Sequence, residues 1–155
     1  MIVAPSFAFW QRWLLVGSCL LAASGLLVAL FPEAFFLAPW RAGLADAFFV
    51  DGVEPVAAAR VRRFLLAPLG ATIAGTYVLQ AFVAAGPFAR REPWSWRASV
   101  AALLTWCVAD TALSVAHGAL FNVLLFNVPG VALIGLPLAM TRRAFACQPP
   151  QPPGA

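Results

Sequence analysis

Four apolar runs, each close to the length that crosses a bilayer, divide this chain and restrict its folds more than any other feature. They cover residues 13–31, 64–85, 98–116 and 119–140. A helix rises 1.5 Å per residue, so about 20 residues span the ~30 Å hydrocarbon core. Of the 155 residues, 63% are hydrophobic and only 10% charged. Soluble domains carry roughly 25% charged residues, and a domain this small buries too little surface to hide so many apolar side chains. The expected fold is all-α: a four-helix transmembrane bundle.

The connections refine that expectation. Residues 32–54 mix phenylalanines with prolines and acids. This suits an amphipathic segment lying in the interface between the first and second helices. Pro55 suits the start of the second helix, with Asp51 and Glu54 near the positive end of its dipole. Pro68 should kink it. Ser18 and Ala22 in the first run have the spacing that allows close helix approach, and Gly70, Ala71, Ala74 and Gly75 form a second close-packing surface. Residues 86–97 read as a short polar turn and His117-Gly118 as a tight reversal. Asn127-Val-Pro-Gly130 interrupts the fourth run. Residues 1–147 form a single four-span domain, and the Pro- and Gln-rich residues 148–155 form a disordered tail. Arg12 and the small residues near Ala22 have some leader-peptide character, but the apolar run continues well beyond them.

Every basic residue is an arginine, and the net charge is +4. The arginines cluster at helix ends, which argues for membrane orientation rather than nucleic-acid binding. Four spans place Arg12, Arg90, Arg91, Arg97, Arg142 and Arg143 on one side and Arg41, Arg60, Arg62 and Arg63 on the other. The positive-inside rule puts the richer side, with both termini, in the cytoplasm of an inner membrane.

One acid, Asp110, lies well inside an apolar run. A carboxylate at that depth is costly and marks a candidate site. At about 100° per residue, Cys107, Ser114 and His117 fall within about 60° of Asp110 on one helix face. Eight residues separate Asp110 from the reversal and nine separate the reversal from Asn127. The two should therefore sit at similar depth and hydrogen-bond. Asn122 and His117 lie nearer the outer surface, and Arg60 and Arg63 near the outer mouth. The candidate ligand-binding set is thus Asp110, Ser114, His117, Asn122, Asn127, Arg60 and Arg63. A purely structural role for the stripe, tying two helices together, is the alternative.

Several chemistries lack their residues. There is no HExxH, no Cys/His cluster and no phosphate-binding glycine loop, so no metal or other cofactor is expected. Cys19, Cys107 and Cys147 lack CxxC spacing and read as small hydrophobes. Ser114 and His117 are in contact range, but Asp110 would touch the serine rather than orient the histidine, the wrong order for a relay.

The stretch Trp106-Cys-Val-Ala-Asp110-Thr-Ala-Leu-Ser114, continued by His117-Gly-Ala-Leu-Phe-Asn122-Val, resembles small bacterial four-helix inner-membrane proteins of unknown function. Pro68-Leu-Gly-Ala-Thr-Ile-Ala-Gly75 is similar to the same group. The resemblance implies a four-span fold and carries no activity. The residues themselves suggest a non-enzymatic membrane protein with a polar pocket near the outer side that binds or passes a small molecule or proton. A structural or accessory subunit of a homo-oligomer or larger membrane complex is the second reading. A lipid-modifying enzyme using Asp110 and His117 is the third. Membrane lipid is the expected surrounding partner in all three. The arginine asymmetry makes a direct prediction: reporter fusions after Arg91 and at the C-terminus read cytoplasmic, and one within residues 41–51 reads external. The opposite reading at any of the three overturns the arrangement.

Overall fold

A computed structural model describes residues 6–146; Cys147 and the tail at 148–155 lie outside them. The described residues are helical and contain no strand. We number the helices α1 (Phe7–Leu30), α2 (Ala38–Phe48), α3 (Val56–Ala85), α4 (Pro93–Ala116) and α5 (Leu120–Ala146). All but α2 are long and apolar enough to cross a membrane.

The ends of the helices follow from local chemistry. Ser6 caps α1, its hydroxyl accepting from the Phe9 amide. Pro55 is extended and immediately precedes α3, as its fixed φ and missing N–H favour at a helix start. The third span begins five residues earlier than the hydropathy suggests. Pro93 opens α4, and Ser95 donates its hydroxyl to the Glu92 carbonyl. Trp94, Ser95 and Trp96 therefore belong to the helix rather than to a polar turn. Gly118, at φ 71°, makes the reversal between α4 and α5, a conformation glycine adopts without steric cost.

The long helices alternate in direction. One end of the bundle gathers the start of α1, the end of α3, the start of α4 and the end of α5. Leu14, Ala84, Phe88, Ile134, Leu138 and Phe145 form the buried apolar core there, and Phe7 stacks on Phe88. The other end carries α2, which packs on the start of α5.

α1 and α3 form the most extensive interface in the molecule. Their backbones meet at glycines. A Cβ on Gly25 would stand 2.6 Å from the Ala74 nitrogen, and one on Gly70 would stand 2.5 Å from the Gly25 carbonyl oxygen. Gly75 departs from the expected packing surface: a Cβ there meets nothing within 4 Å. Five residues turn a helix by about 140° beyond a full revolution, so Gly70 and Gly75 cannot share a face.

Proline shapes α5. Pro129 and Pro137 are each preceded by a wide turn, over Val123–Asn127 and Val131–Gly135. In each, the residue just before the proline donates its N–H five residues back: Val128 to Val123 and Leu136 to Val131. A proline ring clashes with the carbonyl four residues back and offers it no hydrogen. Widening the turn by one residue relieves the clash. The Leu133 carbonyl, deprived by Pro137, accepts instead from the Trp13 indole N–H at 3.1 Å. That bond ties α1 to α5 across the point where Gly17 faces Leu133.

These contacts set an order of tolerance. Gly25→Leu and Gly70→Leu should each cost about 1–3 kcal/mol or more through overpacking, whereas Gly75→Leu should leave the chain's own packing unchanged. Thermal melts in mild detergent would separate them, and equal losses at all three positions would refute the crossing.

Candidate functional site

The widened turn over Val123–Asn127 has a consequence for α4. In a regular helix, Asn122 and Asn127 would point about 140° apart. An i to i+5 turn stacks residues five apart instead, and both asparagines face α4. Asn127 is buried, and its amide donates to the Thr111 hydroxyl at 2.8 Å. Asn122 donates to the Asp110 carboxylate at 3.0 Å and to the Ser114 hydroxyl at 3.0 Å. The expected Asp110–Asn127 bond is therefore replaced by two bonds one step apart, Asp110 to Asn122 and Thr111 to Asn127.

Asn122 is the hub. Its carbonyl oxygen accepts from the Trp40 indole N–H at 3.2 Å. Three elements thus converge on one amide: α4 through Asp110 and Ser114, α5 through Asn122 itself, and α2 through Trp40. Apolar contacts reinforce the last of these. The Trp40 ring lies edge-on to Phe121 and Phe126, and Gly43 sits so close to Phe121 that a Cβ would come within 2.5 Å of its ring. Both amide hydrogens of Asn122 are used, and its oxygen takes the Trp40 N–H. Asp110 differs: it is half-buried, Asn122 engages only its Oδ2, and Oδ1 has no donor among the described residues. The Asn127 carbonyl oxygen is also buried, with no partner among the described residues.

His117 does not join the stripe. It is exposed, and its Nδ1 lies 2.9 Å from the Leu113 carbonyl oxygen. It sits in the residue that closes α4, where the backbone has left helical angles, so the angular count that placed it beside Asp110 no longer applies. The acid and base imagined for an enzyme are not hydrogen-bonded to each other.

The two nominated arginines also stand apart from Asp110. Arg60 is exposed, and Arg63 donates to Glu33 at 3.0 Å. Between them Arg62 is buried. Its Nε and Nη2 make paired bonds to Glu54 at 2.9–3.1 Å, and Nη2 also donates to Glu33 at 3.1 Å. Arg41 completes the cluster, donating to the Ala34 carbonyl and lying 3.7 Å from Glu33. Partial burial raises the pKa of Glu33, but Arg62 and Arg63 together outweigh it and hold the carboxyl below its ordinary value.

Arg62, Trp40 and Thr111 are the residues that reading the sequence left out. No sequence signal set Arg62 apart from Arg60 and Arg63; that it is buried, as Leu66, Gly70 and Ala74 are further along α3, is read from the structure. Thr111 and Trp40 carried no signal either, since their roles depend on where α5 and α2 come to lie. Among the described residues, no three His, Cys, Asp or Glu side chains gather as metal ligands. No protein-family model matches the chain, and neither a curated protein nor a solved structure does.

The bonding pattern ranks the two asparagines against their burial. Asn122→Ala deprives Asp110, Ser114 and Trp40 of their partner at once and should cost about 1–3 kcal/mol or more. Asn127→Ala deprives only Thr111 and also removes an unsatisfied carbonyl, so its cost should be smaller although the residue is more buried. Chemical or thermal unfolding of the two variants decides this, and the reverse order would refute the hub.

Proposed function

We propose that the chain is a four-span integral protein of a cell inner membrane with both termini in the cytoplasm. Its α2 segment lies in the outer interface, and Asp110 is the centre of a site that binds or passes a small molecule or proton. The observation that carries this reading is the state of the Asp110 carboxylate. One oxygen is held by Asn122, while the other has no donor among the described residues, on a half-buried residue between α4 and α5. A membrane-embedded acid with an uncommitted oxygen is a functional site by default. Trp40 of α2 bonds to the same Asn122, which suits a site reached from the α2 side of the bundle.

A second reading is favoured by a different observation. The face of α3 around Gly75 is open, with Ala71, Thr72 and Thr76 exposed beside it. Small residues on an unoccupied face suit close packing against another helix, as in an accessory subunit.

Asp110→Asn separates the two. The substitution keeps an acceptor for Asn122 and removes the titratable proton. The variant should melt within a few degrees of the parent. It should lose the small molecules that native mass spectrometry finds retained after gentle extraction at pH 5 and pH 8, and any proton flux into vesicles loaded with a pH dye. Asp110→Leu should destabilise by about 1–3 kcal/mol, because Asn122 loses an acceptor. An Asn variant unchanged in both ligand retention and proton flux would falsify the site and leave the accessory role.

A further inference from the structure

An open groove of about 520 Å³ runs along α1 from its first turn, with α5 on its other side, within the size range of small-ligand sites. Its apolar stretch is made by Val16, Gly17 and Leu20 on α1 and by Leu133 on α5. The Trp13 ring fixes one wall, because its indole N–H is held by the Leu133 carbonyl at 3.1 Å. Arg12 is the one charged side chain among the lining residues, and no acid accompanies it there. It is exposed, and it forms no ion pair among the described residues. Ser6 lines the same groove. Its hydroxyl oxygen accepts from the Phe9 amide, and its O–H has no acceptor among the described residues.

The groove therefore presents unused donors and a positive charge near the start of α1, and a hydrocarbon wall beyond them. That combination fits an amphiphile with an anionic head and an apolar chain. Side chains of a helix lean towards its start, which carries the Arg12 guanidinium towards Ala8 and Ser6, where the helix leaves its apolar run. From Arg12 to Leu20 the helix rises about 12 Å, room for the upper part of an acyl chain. The charge of the surroundings has the same sign. This end of the bundle holds Arg12, Arg90, Arg91, Arg97, Arg142 and Arg143 against a single acid, Glu92, which is already bonded to Arg90. At the other end, Glu33, Asp46, Asp51 and Glu54 match four arginines. We propose that the groove seats an anionic phospholipid, its phosphodiester on the Arg12 guanidinium and the Ser6 hydroxyl and one acyl chain along Val16, Gly17 and Leu20. A zwitterionic head would bring its own cation to a region with no free acid to receive it. This inference rests on the membrane reading given above.

The test uses the full chain in a neutral mild detergent and two lipids of equal chain length, phosphatidylglycerol and phosphatidylcholine. Native mass spectrometry should show one phosphatidylglycerol retained per chain, about fivefold or more in preference to phosphatidylcholine, the worth of one arginine beside an anionic lipid. Arg12→Gln should abolish the preference. Arg97→Gln removes the same charge from the same end, on a helix that does not line the groove, and should keep it. Val16→Trp, an exposed position in the apolar stretch, should expel the lipid. Glycerol 3-phosphate, a head without a chain, should not displace it. Equal retention of the two lipids by the parent chain would overturn the proposal, and that readout needs no variant to fold. So would equal losses in Arg12→Gln and Arg97→Gln, which would mean that net charge rather than the groove attracts the lipid. Lipid retained by a folded Val16→Trp chain, or displaced by glycerol 3-phosphate, counts against it in the same way. Recovery of the chain in solution without detergent would sink the membrane reading and the groove with it. A chain that stays in micelles but holds both lipids alike overturns the groove alone.

Discussion

A proline inside an apolar helix leaves a carbonyl without its donor, and in a lipid-like surrounding no water stands ready to replace it. α5 contains two such prolines, and much of the molecule is arranged around their consequences. At Pro137 the neighbouring helix supplies the missing hydrogen, through the Trp13 indole. At Pro129 the preceding turn widens by a residue, and the widening turns Asn127 onto the same face as Asn122. Without that turn Asn127 would point away from α4 and lose its bond to Thr111, and Asn122 alone would hold α4, through Asp110 and Ser114, and α2, through Trp40.

The two ends of the bundle solve different problems. The end that gathers the start of α1 and the end of α5 is closed by aromatic and aliphatic packing around Phe88 and Leu138. The other end is held by polar groups: the Asn122 amide on one side of α2, and the Arg62, Glu54 and Glu33 cluster beside α3. Polar ties of this kind contribute modestly each but demand definite geometry, because an unmatched buried donor or acceptor costs more than a matched one returns. Among the described residues, the buried side-chain atoms left without a partner are Arg62 Nη1 and the Asn127 carbonyl oxygen, and they stand out for that reason.

Much of the architecture was legible in the chain. The lengths of the apolar runs located all four long helices, Pro55 marked the start of α3, and Gly118 marked the reversal. The polar face of α4 was also legible, because Cys107, Asp110 and Ser114 recur at helical spacing. Angular counting failed where its premise of a uniform helix failed. His117 sits beyond the last regular turn of α4, and Asn127 follows a turn of five residues rather than four. Gly75 was grouped with Gly70 by proximity in sequence although the helix turns them apart.

The sequence by itself determined an all-helical chain with four helices of membrane-spanning length, because hydrophobic length and proline or glycine punctuation are local properties. It also marked Asp110 as an acid inside an apolar run. Only the tertiary structure decided which partners the polar groups take. Asn122 rather than Asn127 meets Asp110, Arg62 rather than Arg60 or Arg63 is buried, and Trp40 reaches across 82 residues to the same amide. Those choices depend on the rotation of one helix against another, which wide turns and backbone contacts at Gly25 and Gly70 set and which no local pattern encodes.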